Sequence, residues 1–195
     1  MPKLVIINRA IPGSGKTTLT KNIKETLEKH DYSVAIHSTD EFFMEGERYA
    51  FDLEKLGAYH QENQQQFVKS LEQGISVVIC DNTNLEPWQS APYTDLARKH
   101  GYQILFINFA PRDLAEHAKS QQVTPEKPGA HGVPLEILAK QEHEHRMYSA
   151  CLTKETPIPS ECQNFTWDHS AHQKIPHGLA QYYEKNFLIE ITPQT

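Results

Sequence analysis

"KLVIINRAIPGSGKTTLTKNI", residues Lys3 to Ile23, decides the fold. Its first six residues are an apolar, β-branched run that reads as a buried strand. "AIPGSGKTT" (Ala10–Thr18) follows at once and matches G-x-x-x-x-G-K-[ST] at all but its first position, where Ala10 stands for glycine. Alanine is small enough for the turn out of the strand if its φ is negative. Gly13 and Gly15 let successive backbone N–H groups turn inward and form an anion nest. Leu19, Ile23 and Leu27 then recur every fourth residue, so a helix with one apolar face begins just after the loop and adds its positive end. A strand before and a helix after turn a Gly-rich string into a phosphate loop. Pro12, Gly13, Ser14, Gly15, Lys16, Thr17 and Thr18 are the expected nucleotide-binding residues. Lys16 would reach the β- and γ-phosphates and Thr17 would ligate Mg²⁺, so ATP and Mg²⁺ are the expected cofactors.

Outward from this unit the chain alternates. "SVAIHS" (33–38), "SVVICD" (76–81) and "QILFINF" (103–109) read as further strands, with "NFLIEI" (186–191) as a weaker fifth. Helical stretches lie between them: a polar one closing at Gly74, a third around 87–101 broken or begun late by Pro92, and a fourth started by Pro134. The expected fold is a three-layer α/β P-loop domain with about five mainly parallel strands and right-handed crossovers. Ligands bind such sheets at the carboxyl ends of the strands. The whole chain reads as one domain, a core over 3–150 and an irregular extension over 151–195.

Two acidic residues fall at strand ends. Asp40, in "STDEFF", suits a general base facing the cleft and equally suits the cap of a short helix. Asp81, directly after "VVIC", suits an aqueous hold on Mg²⁺. Asn82 and Asn84 are turn formers, for which a structural role and a role at the cleft are both open. His60 and Asn63 are one turn apart on the second helix, and either lines the acceptor cleft or sits on a polar face.

Composition narrows the setting. The chain has 195 residues, 38% hydrophobic and 23% charged, with a net charge of −6, which suits an ordinary globular protein and disfavours broad binding to nucleic-acid backbone. No apolar run is long enough to span a membrane. Three cysteines without pattern (Cys80, Cys151, Cys162) point to a reducing, cytoplasmic setting. The histidines, including His143, His145, His169 and His172, lack a metal-ligand pattern and are expected exposed or hydrogen-bonded. Trp88, at a helix start, is expected to pack.

"PGSGKTT", "STDEFF", "YAFDLEKLGAYHQENQ", "CDNTNLEPWQSAPYTDLARKHGY" and "HGVPLEIL", in that order, resemble the polynucleotide-kinase-like P-loop family, over residues 3–148. The resemblance implies transfer of the γ-phosphate of ATP to a hydroxyl, such as the 5′-hydroxyl of DNA or RNA. It matches Asp40 with the general base and the "DNTN" block with the metal or substrate side of the cleft. Two departures stand out. Phe43 occupies the place of a substrate-binding arginine. The lid "EHAKSQQVTPEKPGAHGVP" (116–134) is longer than usual and lacks the family's arginine. Three outcomes stay open. Lys119, Lys127 or His131 takes over the charge; Arg112 or Arg146 reaches in from a neighbouring helix; or the domain binds ATP with little transfer and acts through partners. A toxin-type nucleotide-sugar kinase is a further alternative.

Overall fold

The computed structural model describes residues 3–109, 111–154 and 162–167, with side chains as far as Tyr148. Strands β1 (Leu4–Arg9), β2 (Val34–His37), β5 (Val77–Cys80), β6 (Gln103–Phe109) and β7 (Cys162–Trp167) form one sheet in the order β2-β5-β1-β6-β7. Every pairing in it is parallel. A small antiparallel hairpin, β3 (Met44–Glu45) and β4 (Arg48–Tyr49), stands apart. The helices are α1 (Lys16–Glu28), α2 (Leu53–Glu72), α3 (Pro87–Lys99), α4 (Leu114–Ser120) and α5 (Leu135–Lys154).

The pleat of β1 explains the layers. Leu4 and Ile6 point to one face, where Leu19, Ile23 and Leu27 of α1 cover them. Val5 and Ile7 point to the other, against Phe67 and Leu71 of α2 and Tyr93 and Ala97 of α3. All these side chains are buried. A strand covered on both faces must be apolar throughout, which is why "LVII" shows no alternation. The chain runs from β1 outward to β2, returns to β5 and crosses to β6, so strand order reverses at β1. A crevice opens at such a reversal, beyond the carboxyl ends of the strands.

Three local expectations change. The sheet's outer strand is Cys162–Trp167, inside the stretch expected to be irregular, and it pairs with β6 from Ile104 to Phe109. "NFLIEI", the candidate at 186–191, lies outside the described residues, as do His169 and His172. Helix α3 runs unbroken through Pro92. Its start is fixed by a capping box between Glu86 and Gln89, and the carbonyl that Pro92 cannot bond belongs to Trp88, at the exposed first turn. Trp88 does not pack: it is 68% exposed and its indole N–H donates to Glu86 at 2.9 Å.

Candidate nucleotide site

Ala10 is fully buried, lies outside the left-handed region and donates its N–H to the Thr83 carbonyl at 2.9 Å. The first loop position therefore needs no glycine here. Gly13 and Gly15 do need theirs, at φ +77° and +87°. A Cβ on Gly13 would collide with Ser120 Oγ and lie 2.9 Å from the His117 carbonyl, so α4 presses directly on the loop. A Cβ on Gly15 would meet nothing within 4 Å. Gly15 is also the N-cap of α1, and no side chain caps that end, which leaves its first N–H groups for an anion.

All seven expected nucleotide residues, Pro12 to Thr18, line one cavity of about 790 Å³. Asp40 and Asp81 line it too, with Lys21, Arg112 and His131. Asp81 is 5% exposed and accepts from Asn8 Nδ2 at 2.7 Å; the same amide donates to Thr20 Oγ1 at 2.9 Å. Burial pushes the Asp81 carboxyl up to about 6, against the pull of Lys16 and the Asn8 bond. A buried acid on the cavity wall, an open cradle at Gly15 and an uncapped helix end together fit a magnesium nucleotide. Lys16 and the loop amides would hold its phosphates, and Thr17 and Asp81 its metal.

Asp40 is the second residue of a single 3₁₀ turn, Thr39–Phe43, whose N-cap is Ser38. Capping, the other reading of this position, is therefore excluded. Its Oδ1 accepts from the Tyr49 hydroxyl at 3.0 Å, and its Oδ2 lies 3.8 Å from His131 Nδ1. The His131 ring stacks on Tyr49 with centroids 4.1 Å apart. Burial holds His131 below its ordinary pKa, with Asp40 raising and Lys16 lowering it.

The other acceptor-side candidates sit elsewhere. Asn82 accepts the Thr39 N–H at 2.9 Å, and His60 Nδ1 pairs with Thr39 Oγ1 at 3.1 Å, so both brace the turn that carries Asp40 from outside the cavity wall. Asn63 is buried and donates to the Tyr93 hydroxyl. Asn84, at φ +47°, is buried with its amide on the Asn8 carbonyl at 2.8 Å, which makes it a turn residue facing the core. Phe43 is buried among Tyr49, Phe51 and Tyr59, so it presents nothing to a substrate.

The arginine-free lid is answered in part by geometry. Lys119 and Lys127 do not line the cavity. Arg146 is 66% exposed and pairs with Glu142. Arg112 does reach the loop: its Nη2 donates to the Gly13 carbonyl at 2.6 Å. Tyr49 and His117 went unnoticed in the sequence. His117 is fully buried, its Nε2 accepts the Arg112 backbone N–H at 2.9 Å, and its Nδ1 lies 2.9 Å from the Pro12 carbonyl. One nitrogen accepting and the other facing a carbonyl fixes the neutral Nδ1–H tautomer.

A family model described as AAA domain matches residues 5–146. NEDD4-binding protein 2 of Homo sapiens is 32% identical over 198 residues, covering 95% of this chain and 10% of that protein. The chain thus spans about a tenth of that relative's length. Kti12 of Chaetomium thermophilum, solved in complex with ADP-AlF3, shares the fold with a TM-score of 0.54 at 16% identity, over 96% of this chain and 100% of that one. A sugar kinase from Janibacter sp. HTCC2649 does so with a TM-score of 0.51 at 15% identity, over 97% and 96%. Among the described residues no helix is long and apolar enough to cross a membrane, and no cluster of side chains could hold a metal through three His, Cys, Asp or Glu ligands. The parallel sheet, the phosphate loop at its central strand and a family match across most of the chain make this protein a P-loop member of the AAA domain family.

Proposed function

We propose that the protein is an ATP- and Mg²⁺-dependent phosphotransferase acting on a hydroxyl, with a polynucleotide 5′ end or a nucleotide-like molecule as acceptor. The observation that carries this reading is Asp40. Asp40 lines the same cavity as Lys16, is held by a tyrosine and is free of any capping duty, and nucleotide binding alone does not call for such a carboxylate. Bound ATP and Mg²⁺ would supply the phosphoryl group and a counter-charge. Tyr49 occupies Oδ1 of Asp40, so Oδ2 takes the proton of the acceptor hydroxyl as that oxygen attacks. Lys16 sets a positive charge on the phosphate side, and Asn82 and His60 fix the Asp40 turn through Thr39. The polynucleotide acceptor rests on the family resemblance of the five sequence blocks.

The test incubates the protein with γ-labelled ATP and a panel of 5′-hydroxyl DNA, 5′-hydroxyl RNA, nucleosides and nucleotide sugars. Label is expected on a 5′-hydroxyl polynucleotide or nucleoside. Asp40→Asn is expected to lose transfer by roughly 10²–10⁴-fold, the usual worth of a general base, while retaining ATP. Tight ATP binding with no label on any acceptor would show a binding module instead. Label on a nucleotide sugar alone would select that class of kinase. Full transfer by Asp40→Asn would remove Asp40 as base.

A further inference from the structure

We propose that Arg112 is the transition-state cation of this site, docked on the phosphate loop before any nucleotide arrives. The inference rests on the phosphotransferase reading and names a residue for it. Among the described residues, the cavity is lined by three side chains that carry full positive charge, Lys16, Lys21 and Arg112. Arg112 alone of these has a planar fork, able to place parallel donors on phosphate oxygens.

Its guanidinium is already anchored and still has donors to spend. Nη2 donates to the Gly13 carbonyl at 2.6 Å. Nε is buried and has no hydrogen-bond partner. Nη1 has Glu116 at 3.7 Å, an acid that is itself 60% exposed and therefore well screened. The side chain is 25% exposed. Arg112 lines the same cavity as Lys16, and its Nη1, held only by the long Glu116 contact, is the donor an anion in the cavity would engage.

The backbone of Arg112 is fixed by the same machinery. His117 accepts the Arg112 N–H with one ring nitrogen and donates to the Pro12 carbonyl with the other. Arg112 and the loop are therefore tied twice, through His117 and through Gly13. Such fixed donors need no reorganisation when charge develops, which is where electrostatic catalysis gains most. An arginine carried by a mobile lid must first be ordered; this one stands at the edge of α4, outside the lid's proline-rich stretch. His117 is in these terms a positioning residue.

The experiment measures binding of MgADP, with and without aluminium fluoride, by isothermal titration calorimetry. The probe needs no acceptor, so a blank acceptor panel leaves it intact, and a labelled acceptor does not by itself confirm it. Wild type is expected to bind MgADP more tightly when fluoride is present. Arg112→Gln and Arg112→Ala are expected to lose most of that gain, a fall of about 10²–10³-fold, the scale of one preorganised donor or arginine. Their affinity for MgADP alone should change by less than about fivefold, and Arg112→Lys should recover part of the gain. Thermal melts of the free variants guard against misfolding. Equal weakening of both complexes would overturn the proposal, because Arg112 would then only shape the loop. So would fluoride tightening that survives in Arg112→Gln, or wild type that gains nothing from fluoride.

Discussion

The two loop glycines should separate stability from binding. Gly13→Ala places a Cβ at φ +77°, which costs about 1–2 kcal/mol of backbone strain. The new atom also lies 2.9 Å from the His117 carbonyl and against Ser120 Oγ, so α4 must move. That movement strains the His117–Pro12 bond, worth about 1 kcal/mol, and the charged Arg112–Gly13 bond, worth about 1.5–3 kcal/mol. With both weakened, the variant should lose about 3–4 kcal/mol, a drop of roughly 6–16 °C in Tm for a chain of this size. Gly15→Ala carries the same strain at φ +87° but meets open space, so it should lose only about 1–2 kcal/mol. Its Cβ instead intrudes where an anion would sit. Losing one charge-assisted bond there weakens MgADP by about 10- to 100-fold. Differential scanning fluorimetry of the free variants and calorimetric titration of MgADP read the two effects. Equal melting temperatures, or a Gly15→Ala protein that binds MgADP normally, would refute the reasoning.

Further outcomes follow from single contacts. Burial holds His117 below its ordinary pKa, helped by Arg112 and opposed by the Pro12 carbonyl, Glu142 and Glu116. Its neutral form is favoured in the fold, so the stability it contributes is complete above the unfolded value near 6.5 and is lost as pH falls below it. Urea midpoints at pH 7.5 and 5.5 should therefore fall less for His117→Gln than for wild type. Asn84→Gly keeps the positive φ but strands the Asn8 carbonyl, costing about 1–3 kcal/mol; Asn84→Ala should cost about 1–2 kcal/mol more in the same urea titration, reversing the usual preference for alanine. Ala10→Gly should destabilise by about 1 kcal/mol and leave nucleotide affinity unchanged, because the native φ gains nothing from glycine.

The parts written in local pattern were legible in the sequence. β1, the loop and α1 are contiguous, and the apolar spacing of Leu19, Ile23 and Leu27 fixes the helix face without help from distant residues. The strand ends put Asp40 and Asp81 at the cleft, whose wall both line, but position alone left Asp40 between base and cap, and the family resemblance favoured the base. What escaped depends on contacts across the chain. His117 meets Pro12 from 105 positions away, and nothing in "LAEHAKS" marks that histidine from any other. Tyr49 belongs to a hairpin of two-residue strands, too short for any periodicity. β7, "CQNFTW", is polar enough to pass for loop and is a strand because β6 offers it an edge. His60 and Asn82 were placed at the right end of the sheet, but Thr39 intercepts their polar atoms before the cavity does.

Arg9, at the end of β1, has a further consequence. It is 1% exposed, and its guanidinium donates to the carbonyls of Leu85 and His145 and stacks on the Tyr148 ring 4.5 Å away. Carbonyls are carried by every residue. Substitution at positions 85 and 145, constrained though both are by burial, removes no acceptor, while position 9 has almost no freedom. A lysine there keeps the charge but lacks the fork that spans both carbonyls. The grip on α5 is thus heritable through one codon, because the acceptor on the helix is its backbone.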